Sequence, residues 1–176
     1  DSNGNIYSTG NFSATVDFDP GLGTSNLTSN GSGDIFISKF DTNGSMVWAK
    51  NIGGSGFDFG ADIAIDSNAN IYIIGSYTGT VDFNPGVDLF NLSSVLSSGD
   101  IFLAKFDTNG NFVWAKSMGG AQFDQGLNIT LDANNNIYAM GDFSGTADFD
   151  PGAGVSNLVS AGWFDIFITK FDSFGN

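Results

Sequence analysis

The chain has 176 residues, the length of one ordinary domain, and 19 Asp against 5 Lys give it a formal net charge of −14. It contains no Arg, Glu, His or Cys, which excludes a Ser–His–Asp relay, a thiolate nucleophile, a Cys/His zinc site and disulfide bonds. The negative charge argues against nucleic-acid and anionic-membrane partners, and no apolar run approaches the ~18 residues of a membrane span.

A repeat of about 66 residues organises the whole chain. The segment Asp1–Tyr7 returns at Asp66–Tyr72 and again at Asp132–Tyr138. Three more segments return with it, namely T-[VA]-D-F-[DN]-P-G, D-I-F-x-x-K-F-D and V-W-A-K. The chain is therefore treated as one repeat array with unit 1 at residues 1–65, unit 2 at 66–131 and a shorter unit 3 at 132–176.

Each unit predicts four short strands and no helix. Asn-Gly turns supply the positive φ values that tight hairpins need, and no segment shows helical periodicity. The predicted strands are Ala61–Ile65, Asn70–Ser76, Asp100–Phe106 and Phe112–Ser117. Successive apolar positions in Ile71–Ile74 indicate burial on both faces. The prediction is an all-β fold of the β-propeller type, with tandem four-stranded blades packed face to face.

Two features of the repeat concern its surface. Only the segment between Asp17 and Asp34 changes length, being one residue longer between Asp82 and Asp100, so we expect a surface loop there. In units 1 and 2 the predicted Trp-bearing strand carries a lysine near its end, Lys50 or Lys116, which is typical of an exposed sheet edge.

At about 66 residues per blade, the 176 residues predict about 2.7 blades, an incomplete ring, whereas propellers have about four to eight. It also begins with Asp rather than Met, so we expect a processed product or a part of a longer parent chain. A further expectation is that copies assemble with one another through open strand edges.

Four segments carry a family resemblance. They are N-I-Y-x-x-G at Asn70–Gly75, D-I-F-x-x-K-F-D at Asp100–Asp107, N-G-x-x-x-W-A-K at Asn43–Lys50 and Asn109–Lys116, and the Gly-Gly that follows. Together they resemble the bacterial β-propeller repeats called SBBP-type, over essentially the whole chain. The resemblance implies a non-catalytic extracellular or cell-surface module and no catalytic residue. Phe174 departs from the pattern, since asparagine occupies its position in units 1 and 2.

The motif Asp-Phe-[Asp/Asn]-Pro-Gly is a candidate calcium site. Its first and third residues share one face of an extended strand, and carboxylates with loop carbonyls suit Ca²⁺. The same residues also predict a β-turn with Pro and Gly at its centre, which is the favoured interpretation. The candidate ligands are Asp17, Asp19, Asp82, Asn84, Asp148 and Asp150.

The aromatic pair Trp163-Phe164 breaks the repeat, because units 1 and 2 have Ser32-Gly33 and Ser98-Gly99 at these positions. The pair either contacts a glycan or protein partner or covers an adjoining blade or a partner's edge. Trp48 and Trp114 are expected to pack between blades.

These observations predict a non-enzymatic structural or adhesive repeat module of a secreted or surface-attached bacterial protein, with calcium as the one candidate cofactor. A calcium-dependent binding module is one alternative. A carbohydrate-active enzyme is another, although 19 Asp make a carboxylate pair easy to find by chance.

Overall fold

The computed structural model describes all 176 residues, and its regular structure consists of β-strands and one 3₁₀ turn at Val95–Ser97. The strands are β1 (Ile6–Phe12), β2 (Thr15–Asp17), β3 (Asn26–Thr28), β4 (Asp34–Phe40), β5 (Met46–Gly54), β6 (Phe59–Ile65), β7 (Ile71–Thr78), β8 (Thr80–Asp82), β9 (Asn91–Ser93), β10 (Gly99–Phe106), β11 (Phe112–Gly120), β12 (Gln125–Leu131), β13 (Ile137–Phe143), β14 (Thr146–Asp148), β15 (Asn157–Val159) and β16 (Asp165–Phe171). None of the helical segments has the length and apolarity to cross a membrane. The all-β prediction is confirmed.

Three antiparallel sheets repeat along the chain. Sheet 2 has the strand order β6–β7–β10–β11, sheet 1 contains β1–β4–β5, and sheet 3 contains β12–β13–β16. Strand β6 belongs to unit 1 by sequence but pairs with β7 of unit 2. Sheets and sequence units are therefore out of phase by one strand.

The turn between β6 and β7 shows how the sequence motif D-x-N-x-N closes a hairpin. The Asp66 carboxylate accepts the backbone N–H groups of Asn68 and Asn70, both at 2.9 Å. Ala69 takes a left-handed φ of 61°, which is rare for a residue other than glycine, asparagine or aspartate. Because side-chain oxygens satisfy the turn amides, the motif specifies a tight connection without tertiary help.

The segment between Asp17 and Asp34 is more ordered than the expected loop. Three inserted hairpins, β2–β3, β8–β9 and β14–β15, occupy this segment in units 1, 2 and 3. Strand β8 pairs with β5 of the preceding sheet, and β14 pairs with β11 in the same way. The extra residue of unit 2 falls in the 3₁₀ turn, where Leu96 has a φ of 52°. The expected surface position is confirmed, because most residues of the segment are exposed. The short second strand of each hairpin, β3, β9 or β15, adds order that the length change did not indicate.

The Gly-Gly pair after V-W-A-K is explained by this pairing. A β-carbon at Gly54 would collide with the backbone carbonyl of Thr80, and one at Gly120 would collide with that of Thr146. The inserted hairpins approach so closely that only glycine fits. The inserted hairpins therefore cover the Gly-Gly ends of β5 and β11, the strands that carry Lys50 and Lys116.

The core lies between sheets, in two clusters that we call junction 1 (between sheets 1 and 2) and junction 2 (between sheets 2 and 3). In β7, Ile71 and Ile73 are buried in junction 1, while Tyr72 and Ile74 are buried in junction 2. Successive residues of a strand point to opposite faces, so the unbroken apolar run of β7 serves both junctions. The predicted burial on both faces is confirmed for sheet 2.

Candidate functional site

The Asp-Phe-Asp-Pro-Gly motif forms the turn that begins each inserted hairpin loop. In unit 1, Oδ1 of Asp17 accepts the N–H groups of Asp19 and Ser25 at 3.1 and 2.8 Å. Oδ1 of Asp19 accepts the N–H of Gly21 at 2.8 Å. Units 2 and 3 repeat this network with Asp82, Asn84, Asp148 and Asp150. The contacts are those of the favoured turn interpretation.

These contacts bear on the calcium interpretation without deciding it. The bonds from Ser25 and Asp19 lower the pKa of Asp17 below its ordinary value, so a carboxylate is kept ionised on an exposed turn. No three acidic side chains of the chain converge as a metal cluster would require. Asn84 fills the same acceptor role as Asp19 and Asp150, which shows that the turn does not depend on charge. Calcium binding stays a prediction.

A second group of aspartates lies buried in the two junctions, and sequence reasoning did not single it out as a site. Asp34 at the start of β4 and Asp58 before β6 are fully buried at junction 1, and Asp100 and Asp124 repeat the pair at junction 2. Oδ2 of Asp100 accepts the N–H of Val95 at 3.0 Å, but Oδ1 of Asp34 and of Asp100 have no hydrogen-bond partner. The signal in the sequence was the recurrence of both aspartates with the period of the repeat.

Burial changes the acidity of these side chains. Desolvation raises the pKa of Asp58 to about 6. The N–H groups of Gly54 and Thr78 oppose this shift, and the nearby Asp34 adds to it. Desolvation also raises the pKa of Asp100, to about 7. The N–H of Val95 opposes this shift, and Asp124 adds to it. Paired acids are also the chemistry of glycosidases, but these carboxyl groups are sealed between packed sheets and offer no surface to a sugar.

Residues that recur in the repeat, at the edges of the sheets, also hold the junctions together. The indole of Trp48 covers Gly110 in the hairpin of the next sheet, and Trp114 covers Gly175 in the same way. Nζ of Lys39 donates to the carbonyl of Thr108 at 3.2 Å. These contacts confirm the expectation that Trp48 and Trp114 pack between neighbouring sheets.

Trp163 and Phe164 lie in the loop between β15 and β16, on the surface. Trp163 is 91% exposed and Phe164 is 50% exposed. Phe164 meets Phe123 edge to face, with ring centroids 6.5 Å apart. Both aromatic residues line an open cleft of about 350 Å³ with Gln122, Phe123, Ser144 and Gly162. The cleft therefore combines exposed ring faces with two polar side chains.

No protein-family model matches the chain. Over 99% of its length the chain is 27% identical to the uncharacterized WD repeat-containing protein L264 of Acanthamoeba polyphaga mimivirus, in a match that covers 14% of that protein. It is 25% identical over 99% of its length to the regulatory protein FlaEY of Caulobacter vibrioides, covering 18% of that protein. The chain thus spans less than a fifth of either relative, and neither name describes an enzyme.

Proposed function

We propose that the chain is a non-enzymatic β-propeller-type scaffold, an incomplete ring of about 2.7 blades, that presents variable loops from a secreted or surface-attached bacterial protein. The four-stranded order of sheet 2 and the face-to-face junctions support the propeller arrangement. So does the similarity to a protein named for WD repeats. The resemblance to SBBP-type repeats supports the extracellular location.

The sealed junctions favour a scaffold over an enzyme. Asp58 and Asp100, whose pKa values are raised, are buried. Backbone amides already bind the exposed carboxylates of the turn motif in unit 1. The repeated polar residues therefore have structural partners, and none is left exposed as a pair with contrasting acidity. A carbohydrate-active enzyme would need such a pair beside a cleft.

The observation that carries the adhesive role is the aromatic cleft at Trp163 and Phe164. Exposed aromatic rings beside polar groups are the usual composition of binding surfaces. The strand sequences repeat between units, whereas the sequence of this loop does not. Such a difference is typical of a scaffold whose loops bind the ligand. We assign the ligand contact of the module to this cleft, with glycans as the first ligand class to test and proteins as the second.

The test replaces the pair with the residues of the sister units, as Trp163→Ser with Phe164→Gly. The wild-type chain and this variant are compared for binding to arrayed bacterial and host glycans and for retention on immobilised polysaccharide. We expect binding by the wild type and a loss of at least tenfold in the variant, with an unchanged melting temperature. The matched control is Leu22→Ser, which removes an exposed apolar side chain from a loop of unit 1.

Binding that survives the double substitution would place the contact elsewhere on the module. Glycan cleavage by the wild-type chain that a single Asp→Asn change abolishes would contradict the scaffold proposal and establish the enzyme alternative.

A further inference from the structure

One end of the molecule carries no charged residue in its loops, although the chain has 19 Asp and 5 Lys. We call this end the uncharged rim. Its loops are residues 29–33, 55–57, 78–79, 94–99, 121–123, 144–145 and 160–164. Four aspartates that adjoin these loops have buried side chains, namely Asp34, Asp58, Asp100 and Asp124. Asp165 adjoins the last loop and is partly buried, and its Oδ2 accepts a backbone N–H at 2.7 Å. The rim is therefore an uncharged surface on a strongly acidic protein.

Contacts between neighbouring loops join the uncharged rim into one surface that crosses all three sheets. The N–H of Gly79 donates to Oγ of Ser94 at 2.8 Å. Oγ of Ser98 donates to the carbonyl of Gly120 at 3.1 Å, directly before residues 121–123. Further bonds of this kind join Ser32 to Gly56 and Gly145 to Ser160. A ligand that lies along the rim therefore meets loops that hold one another in place.

Phe57 is an exposed aromatic residue of the rim at junction 1. Its side chain is 50% exposed, although sheets 1 and 2 are both present on either side of it. The ring lies against the backbone of Gly33, where a β-carbon would come within 3.0 Å of it. Its N–H donates to Oγ1 of Thr78 at 2.8 Å, and this hydroxyl donates back to the carbonyl of Phe57 at 3.0 Å. The ring is thus held on the backbone and open to solvent on its other side.

Phe123 repeats this arrangement at junction 2. Its side chain is 43% exposed, and its ring lies against Gly99. Oγ of Ser144 donates to the carbonyl of Phe123 at 2.8 Å, as Thr78 does to the carbonyl of Phe57. Phe123 also lines the aromatic cleft. One ring of the cleft therefore has a second copy, Phe57, one sheet away.

The surface between these two rings is continuous. Thr78, which holds Phe57, pairs with Gly99 in sheet 2, and Gly99 supports the ring of Phe123. Packed sheets lie about 10 Å apart, so a chain of a few sugar units reaches from one ring to the other.

Amide groups flank the rings of the rim. The side-chain amide of Asn11 lies beside Gly33, and that of Gln122 lies beside Gly145. Sugars present apolar C–H faces together with hydroxyl groups, and the combination of open rings and uncharged polar groups matches both. The rim therefore has the composition of a saccharide-binding surface over a longer distance than the cleft alone.

We propose that the uncharged rim binds a linear, uncharged polysaccharide, with Phe57 and the aromatic cleft stacking on different sugar units of one polysaccharide chain. The proposal rests on the glycan-binding role of the proposed function and adds the class of glycan. A net charge of −14 repels anionic polysaccharides, whereas an uncharged chain meets no charged side chain on the rim.

Two platforms on one surface make the affinity depend on the length of the glycan. A short oligosaccharide occupies either the cleft or Phe57. A polysaccharide that occupies the cleft brings its next sugar units to Phe57 at high effective concentration, so the second contact strengthens binding without a change in either platform. Length dependence is therefore the property that distinguishes the rim from the cleft alone.

The test uses the full 176-residue chain with Phe57→Leu, which keeps an apolar side chain over Gly33 and removes the ring, so we expect an unchanged melting temperature. Phe57→Trp restores a ring. Phe90→Leu is the matched control, because Phe90 is 37% exposed in the middle unit but lies outside the rim. Calorimetric titration measures binding to soluble β-glucan, mannan and xylan, to short oligosaccharides of the same sugars, and to alginate as the anionic polymer.

We expect Phe57→Leu to weaken binding of a neutral polysaccharide roughly tenfold or more and to leave binding of the short oligosaccharide unchanged. Phe57→Trp and Phe90→Leu should bind both as the wild type does. The variant that carries Trp163→Ser with Phe164→Gly should keep weak binding to the polysaccharide, and adding Phe57→Leu to it should abolish that binding.

The failure of this proposal and that of the proposed function give different results. Polysaccharide binding that is unchanged in Phe57→Leu would overturn the role of the rim and leave the aromatic cleft in place. Binding that needs Phe57 but is undiminished by the loss of Trp163 and Phe164 would support the rim and contradict the assignment of the cleft. Preference for alginate would overturn the proposal. A wild type that binds none of the three neutral polysaccharides would also overturn it, and the cleft would then be tested with proteins.

Discussion

Asp17 and Asp100 recur with the same period, but they occupy opposite environments. Asp17 lies on an exposed turn, where the amides of Ser25 and Asp19 lower the pKa of its carboxyl group. Asp100 lies in junction 2, where burial raises its pKa to about 7 although the N–H of Val95 opposes this. An aspartate that recurs in every unit therefore indicates a repeated place in the fold, but it does not indicate whether its carboxyl group is ionised. The donors and the solvent around each carboxylate decide whether it is charged.

The junctions also differ from the surface loops in how much an aromatic residue is expected to contribute to folding stability. Trp114 covers Gly175 of the next sheet and meets Tyr72 with ring centroids 6.3 Å apart, whereas Trp163 projects into solvent. Residues of one type are therefore expected to differ in their effect on stability according to the region they occupy.

The largest expected effect comes from breaking a junction at Trp114. Trp114→Ala removes the contact with Gly175 and opens a cavity at the edge of junction 2, so we expect a loss of about 3 kcal/mol in the free energy of unfolding. Trp163→Ala is the matched control and should change the free energy by less than about 0.5 kcal/mol. Urea denaturation monitored by far-ultraviolet circular dichroism measures both. Equal effects of the two substitutions would mean that the junction is not the main source of stability.

An intermediate effect is expected from Asp100→Asn, which removes a buried charge and keeps an acceptor for the N–H of Val95. The folded-state pKa of Asp100 is raised, so the folded chain holds a proton that the unfolded chain releases above about pH 4. Stability associated with Asp100 is therefore present at low pH and decreases as the pH rises from about 4 to about 7. At pH 8 we expect the variant to be more stable than the wild type by roughly 1 to 2 kcal/mol.

The control for this pH dependence is Asp17→Asn on the exposed turn. The pKa of Asp17 is lowered, so its contribution has the opposite sign, being present at neutral pH and lost as the pH falls below the ordinary value. The measurement is thermal unfolding of both variants from pH 3 to pH 8. Parallel pH profiles for the wild type and Asp100→Asn would contradict the assignment of the buried charge.

The smallest effect is expected from calcium. Because backbone amides already occupy Oδ1 of Asp17 and of Asp19, millimolar Ca²⁺ and excess chelator should give the same melting temperature within about 1 °C. A site filled at a hundred times its dissociation constant would stabilise the chain by about 2.7 kcal/mol, and a shift of that size would establish the calcium-dependent alternative. Asp19→Asn, which copies the Asn84 of unit 2, would then reduce the shift.

Local structure could be predicted from this sequence because the interactions that specify it span only a few residues. The motif D-x-N-x-N carries its own amide acceptors, as Asp66 shows with Asn68 and Asn70, and Asn-Gly provides the positive φ of Gly110. The apolar run of β7 required burial on both faces, and Ile71–Ile74 are buried as that pattern predicts. The candidate turn at Asp17 could be located for the same reason, whereas the exposure of Trp163 was known only from the structure.

Only the tertiary structure decided which groups meet across sheets. The pairing of β8 with β5 joins segments nearly 30 residues apart, and no local pattern in Thr80–Asp82 predicts it. The acidity of Asp58 and Asp100 depends on sealing by neighbouring sheets, which the spacing of aspartates does not encode. Ile101 and Ile166 occupy the same place in the repeat, yet one is buried and the other exposed. Periodic sequence determines the sheets, whereas burial and charge depend on what each sheet packs against.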